Sequence, residues 1–149
     1  MTGNEKDIDR VFIRKQDREI YQTIRTQEGD LQGASNIDLF LIAMMLGYEK
    51  ADKEHKKVME EKPPKLNDGL IRTVSFSTDA WDLIKSLAVH VDQDVSVLAD
   101  NDRMLDIAQR YAYEGISVLD KKYNEDKYGF LKYLEESIDK KFEEYEIGL

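Results

Sequence analysis

The stretch NIDLFLIAMMLGYEKADKEHKK, residues 36–57, changes character halfway. Asn36–Leu46 is almost wholly apolar, and Glu49–Lys57 almost wholly charged. Such an apolar run fits a membrane span, a buried helix, or a methionine-rich surface that grips a partner. Length excludes the first, because Leu39–Leu46 supplies about 8 residues against the roughly 20 that a spanning helix needs. A helix apolar nearly all round belongs at the centre of a core, clasped on several sides. Met44 and Met45 suit that place, since flexible thioethers fill irregular gaps. Ser35 at the N-cap with Asp38 three residues on approximates a capping box, and Asp38 also complements the positive end of the helix. Gly47 marks either the end of this helix or a point where another segment approaches closely. Beyond it, Glu49 and Lys53, and Asp52 and Lys56, stand at spacing four. Residues 49–62 are therefore expected to carry the helix on into solvent. Pro63–Pro64 stops it, and KPPKLNDG (62–69) reads as a linker.

Upstream, RVFIR (10–14) is rich in β-formers and reads as a short strand or extended lead-in. From Lys15 the pattern turns helical, with Ile20, Tyr21 and Ile24 on one face. EGDLQGAS (28–35) is a loop. Downstream, LIRTVSFS (70–77) is the best strand, with Ile71, Thr73, Ser75 and Ser77 on one side and Arg72, Val74 and Phe76 on the other. Ser77 or Thr78 caps a third helix with Asp79 and Asp82 in its first turn and Trp81, Ile84, Leu87, Ala88 and Val91 as its stripe. In DQDVSVLAD (92–100), Val95, Val97 and Leu98 are expected to plug the core. Asp100 or Asn101 caps a fourth helix whose buried face holds Met104, Ile107, Ala108, Tyr111, Ala112, Gly115, Ile116 and Leu119. Gly115 in mid-helix costs about 1 kcal/mol relative to alanine, so a close helix crossing is expected there. A last helix, from about Lys127 to Tyr145, is expected to bury Phe130, Leu131, Leu134, Ile138 and Phe142.

The fold class is therefore mainly α, about five helices around one core with one or two short β-strands. The order strand, helix, capped helix occurs twice. That suggests pseudo-duplicated sub-units, 8–62 and 69–149, joined at Pro63–Pro64 within a single domain of 149 residues.

Charge narrows the function. The chain carries 31 Asp and Glu against 22 Lys and Arg, a net charge of −9. Residues 1–77 hold 14 acidic and 13 basic side chains, residues 78–149 hold 17 and 9. So acidic a balance disfavours generic nucleic-acid binding. The second half keeps the protein soluble or meets a basic partner. A local basic cluster remains in the first half, at Arg10, Arg14, Lys15, Arg18 and Arg25. Cysteine is absent, which excludes disulfides, thiolate zinc sites and cysteine nucleophiles and fits a reducing compartment. The polar start MTGNEKDIDR is no signal peptide, so a cytoplasmic location away from membranes is expected.

The residues offer little catalytic or metal-binding chemistry. In DQDVSVLADNDR (92–103), Asp92, Asp94, Ser96 and Asp100 are spaced like calcium-loop ligands. Val97 stands where the loop needs glycine, however, and Arg103 where it needs a bidentate glutamate, so an EF-hand is rejected. His55, in a charged run, is expected to be solvated. His90 sits where an imidazolium suits a helix C-terminus. Neither has a partner at metal-ligand spacing. Glu135, Glu136, Asp139, Glu143 and Glu144 alternate with lysines and read as a solvated helix face; a di-iron helix would carry Glu-x-x-His. There is no phosphate-binding glycine loop and no nucleophile elbow. No catalytic, cofactor or metal residue is assigned, and an enzyme is the lesser reading. Only RVFIRKQDR (10–18) points toward DNA. A short basic strand before two helices is the layout of ribbon-helix-helix proteins, whose paired strands from two chains enter the major groove. Arg10, Phe12 and Arg14 would share a face, and Arg10, Arg14, Lys15 and Arg18 are the candidate DNA contacts. The competing reading is a structural strand over the core.

Two segments together resemble a known family. LFLIAMMLGYEK (39–50) and AQRYAYEGISVLDKKY (108–123) are similar to the most recognisable stretches of a small protein family encoded beside DNA phosphorothioation (dnd) genes, with RKQDREIY (14–21) and LAVHVDQDVSVLAD (87–100) in matching order. The resemblance spans most of residues 12–140. It implies a role in bacterial or archaeal DNA modification and defence against foreign DNA, for which the first reading is a non-enzymatic accessory protein of a modification and restriction system. Such a protein would act through protein partners and weak DNA contact, without a cofactor, and a homo-oligomer is compatible with it. The resemblance carries over no catalytic residue.

Overall fold

The computed structural model describes residues 9–61 and 65–137. Its elements are β1 (Arg10–Ile13), α1 (Arg18–Thr26), α2 (Asn36–Ala51), α3 (His55–Glu60), β2 (Asp68–Arg72), α4 (Thr78–Asp92) and α5 (Asn101–Glu125), and residues 130–137 are helical as well. The chain is mainly α with one two-stranded antiparallel sheet.

The caps form where the sequence places them. Ser35 Oγ accepts the Asp38 amide at 3.1 Å, and the Asp38 carboxylate accepts the Ser35 amide at 3.4 Å, closing the capping box of α2. Ser77 Oγ accepts the Ala80 amide at 3.1 Å to start α4, and Asp100 Oδ1 accepts the Arg103 amide at 3.0 Å to start α5. These bonds satisfy amides that have no partner inside the helix.

α2 lies at the centre. Leu39, Phe40, Ala43, Met44 and Leu46 are buried, and α1, α3, α4, α5 and β2 all touch the helix. Its closest neighbour is α5, all eight of whose expected inward residues are buried. Ala43 and Gly47, one turn apart, meet Tyr111 and Gly115, also one turn apart. A methyl group on Gly115 would collide with the Ala43 carbonyl, and one on Gly47 with the Tyr111 carbonyl. The two glycines let the backbones approach, and the flanking side chains then pack over a long line of contact.

α2 does not continue over residues 49–62, contrary to the charge pattern. It passes through Gly47 and stops at Ala51, Asp52 takes a φ of 52°, and α3 folds back against α5. Ion pairs at spacing four contribute only a few tenths of a kcal/mol each. Covering Ala51 and partly covering Val58 and Met59 outweighs them.

β1 covers the core with Val11 and Ile13, and pairs with β2 in the register Arg10↔Arg72, Val11↔Ile71, Phe12↔Gly69 and Ile13↔Asp68. A bulge between Val11 and Phe12 leaves Leu70 as the extra residue. β2 is shorter than the pattern of residues 70–77 predicts. β1 begins at Arg10, so Thr73 finds only the Asp9 carbonyl, and residues Thr73–Ser75 curl into a 3₁₀ turn that leaves Val74 77% exposed.

Two further expectations fail for geometric reasons. Val97 is buried, but Val95 and Leu98 are exposed. Val95–Ala99 is a 3₁₀ turn, in which residues three apart share a face, so Val95 and Leu98 turn outward together. After α5, Phe130 is buried and Leu134 partly so, while Leu131 points out because it is one helical step from Phe130. Ile138, Phe142 and the Pro63–Pro64 linker lie outside the described residues. The order strand, helix, helix occurs in both halves, and the halves meet through β1 against β2 and α2 against α5.

Candidate functional site

The basic candidates at the start of the chain separate into two groups. Arg18 donates to both carboxylate oxygens of Asp68, at 2.7 and 2.8 Å, and to the Gly69 carbonyl at 2.7 Å. It thereby ties α1 to β2, and it holds the Asp68 carboxyl below the usual carboxylate range. Arg14 donates to Asp17 at 2.9 Å and lies over the Tyr113 ring, 5.3 Å from its centroid. Asp17 is buried, so Arg14 supplies the counter-ion that a buried carboxylate requires. Both guanidinium groups are thus paired to carboxylates of the fold, although Arg18 lies at the surface. Lys15 and Arg10 are exposed, and Lys15 also favours the charged form of Asp68.

The ribbon adds one cation that sequence reading did not single out. Arg72 is exposed and stands directly opposite Arg10 across the strand pair. Alternation along residues 70–77 puts Arg72 on a strand face, but its neighbour is set by the register. Arg10 leans along the ribbon over Gly69, where a Cβ would come within 3.1 Å of its Cδ. Beneath the ribbon the Phe12 amide donates to Gln109 Oε1 at 2.6 Å, which explains a buried glutamine on α5. Nearby, the Tyr21 hydroxyl and Arg14 Nε are buried without a hydrogen-bond partner among the described residues, and burial raises the Tyr21 phenol far above its ordinary value.

A second cluster lies where α3 meets α2 and α5. His55 is not solvated, as its charged surroundings suggest. Its ring stacks on Tyr48 at 4.3 Å and 19°, and Nδ1 lies 2.9 Å from the Tyr111 hydroxyl. Burial raises the Tyr111 phenol, with smaller contributions from Tyr48 and Glu114. Arg110 reaches the Met59 and Glu61 carbonyls at 3.3 and 3.2 Å and holds the far end of α3. An open cleft of ≈ 170 Å³ beside α3 presents Lys50, Glu54, Lys57, Glu61 and Glu114. That is below the roughly 300 Å³ at which small-molecule pockets begin, and its lining mixes both charge signs.

The calcium-loop look-alike closes on itself. Arg103, at the position that breaks the motif, donates to both Asp92 oxygens at 3.1 and 2.8 Å. Among the described residues no group of three or more His, Asp or Glu is placed to hold a metal ion, and no helix is long and apolar enough to cross a membrane. The chain matches no family model, no curated protein and no solved structure in the comparisons made with them.

Proposed function

We propose that this chain is a non-enzymatic accessory protein of a cytoplasmic DNA phosphorothioation-linked modification and restriction system, working by surface contact with protein partners. The observation that carries this reading is the coincidence of the two resembling segments with one structural unit. Residues 39–50 form most of α2, residues 108–123 most of α5, and they meet at the Gly47 and Gly115 crossing. A resemblance confined to surface loops would carry less weight, because packed glycine positions constrain both helices at once. The test is co-purification of the tagged protein from its native host. Stable recovery of a DNA-modification protein encoded in the same gene neighbourhood supports the reading. A neighbourhood without phosphorothioation genes removes it.

A second reading, the dimeric ribbon-helix-helix-like DNA-binding regulator, keeps the ribbon of that layout but loses its pairing of strands from two chains. The antiparallel ribbon forms within a single chain, each strand followed by two longer helices. In this version no second chain is needed to complete the ribbon. A regulator would bind its own promoter tightly, with a steep fall in affinity as salt rises.

A further inference from the structure

We infer that the outer face of the β1–β2 ribbon, with Arg10 and Arg72 as its paired cations, is a contact site for the phosphate backbone of duplex DNA. The inference rests on the DNA-linked readings above, and narrows them to two side chains and one mode of contact.

Of the seven arginines, Arg14, Arg18, Arg103 and Arg110 each hold a carboxylate, and Arg25 donates to the Ala34 carbonyl. Arg10 and Arg72 have no hydrogen bond or ion pair among the described residues, yet they face each other in register. Like charges directly opposite across a strand pair destabilise it. Acidic side chains outnumber basic ones by 31 to 22, so counter-ions are not scarce. A cross-strand pair with no counter-ion among the described residues suits an anion that comes from outside. Guanidinium forks fit phosphate oxygens two at a time, as they fit the carboxylates of Asp68 and Asp92 within this chain, and the DNA-linked readings select phosphate between the two. A two-stranded antiparallel ribbon is also of a size that the major groove admits. Arg14 and Arg18 take no part, because Asp17 and Asp68 occupy them. The net charge of −9 opposes long-range attraction, so the contact is weak and independent of base sequence.

The experiment is fluorescence anisotropy with a labelled duplex of about two helical turns, at about 50 and about 200 mM salt. Two phosphate contacts give a log–log slope near −1.8, hence about tenfold weaker binding over that fourfold rise in salt. Arg10→Ala/Arg72→Ala should weaken low-salt binding about tenfold or more and remove most of the slope. Lys53→Ala/Lys121→Ala changes net charge equally at exposed sites elsewhere and should leave binding within about twofold. Arg10→Lys/Arg72→Lys keeps the charge, so it should keep the slope while losing affinity. The alanine variant should melt no lower than the parent, since a repulsive pair has gone. Equal binding by parent and alanine variant, no measurable binding by the parent, or equally tight capture of a polyglutamate peptide would each overturn the site. Partner recovery that survives in the alanine variant separates failure of this inference from failure of the accessory reading.

Discussion

Gly47 on α2 and Gly115 on α5 lie backbone against backbone, so close that a Cβ on Gly115 would stand 2.5 Å from the Gly47 nitrogen. Replacing a mid-helix glycine by alanine normally stabilises a helix by about 1 kcal/mol. Here the added methyl meets a carbonyl oxygen that cannot move without moving its helix. Overpacking of this kind costs about 1–3 kcal/mol, occasionally more, and it outweighs the propensity gain. Gly115→Ala and Gly47→Ala should each lower stability in urea unfolding. A rise for either would show that the helices are not in this contact.

The unpartnered Tyr21 hydroxyl gives the opposite sign. Deleting a buried polar group that bonds nothing relieves its desolvation cost, so Tyr21→Phe should leave stability at neutral pH unchanged or raise it by about 1 kcal/mol. The pH dependence follows from the same burial. The phenol's folded pKa lies above its ordinary 10.0, so the folded state holds the proton more tightly. The stability this favours is complete below pH 10 and falls as pH rises from there toward the folded value. Tyr111 behaves alike, for the same first cause. Denaturant midpoints measured from neutral pH upward should turn down above about pH 10, less steeply in Tyr21→Phe than in the parent.

The ion pair between Arg18 and Asp68 is well formed but partly exposed, with side-chain exposures of 44% and 23%. Solvent screening limits such a pair to about 1 kcal/mol in a double-mutant cycle. Because Arg18 lowers the carboxyl's folded pKa, the contribution is present above the unfolded value of 3.8 and is lost as pH falls through the folded one. Asp68→Asn should remove that acid-side component and loosen the ribbon. Unchanged acid sensitivity would mean that Asp68 is not the titrating group.

The 3₁₀ turn between α4 and α5 predicts a contrast within four residues. Val97→Ala removes buried methyl groups and should cost roughly 1–2 kcal/mol. Val95→Ser and Leu98→Ser alter exposed positions and should stay within about 0.5 kcal/mol. Equal losses at all three positions would return the turn to the fully inserted arrangement that its hydrophobicity suggests.

The bond between His55 and Tyr111 ties α3 to α5. Tyr111→Phe deprives His55 Nδ1 of the hydroxyl 2.9 Å away and should cost about 1 kcal/mol. Amide exchange along α3 should quicken more than exchange along α2, because α3 buries little else.

Much of the architecture is local and therefore legible in residue order. The capping box at Ser35 and Asp38, the caps at Ser77 and Asp100, and the apolar stripe of α5 depend on side chains within a turn or two of each other. The requirement for a close crossing at Gly115 was legible too, since a helix accepts that glycine at a cost. Partner choice was not. Whether Arg14 or Arg10 faces solvent depends on where Asp17 is buried and on which strand lies beside β1. His55 sits in a charged run, and only the fold-back at Asp52 brings it to Tyr111, 56 residues away. Val95 and Leu98 carry the same apolar character as Val97, but the pitch of one short turn sends both of them outward and Val97 inward. Periodicity along the chain specifies which faces are apolar and where helices begin. What covers each face, and which charges are left over, is set by packing between segments far apart in sequence, because those contacts are decided by competition over the whole core.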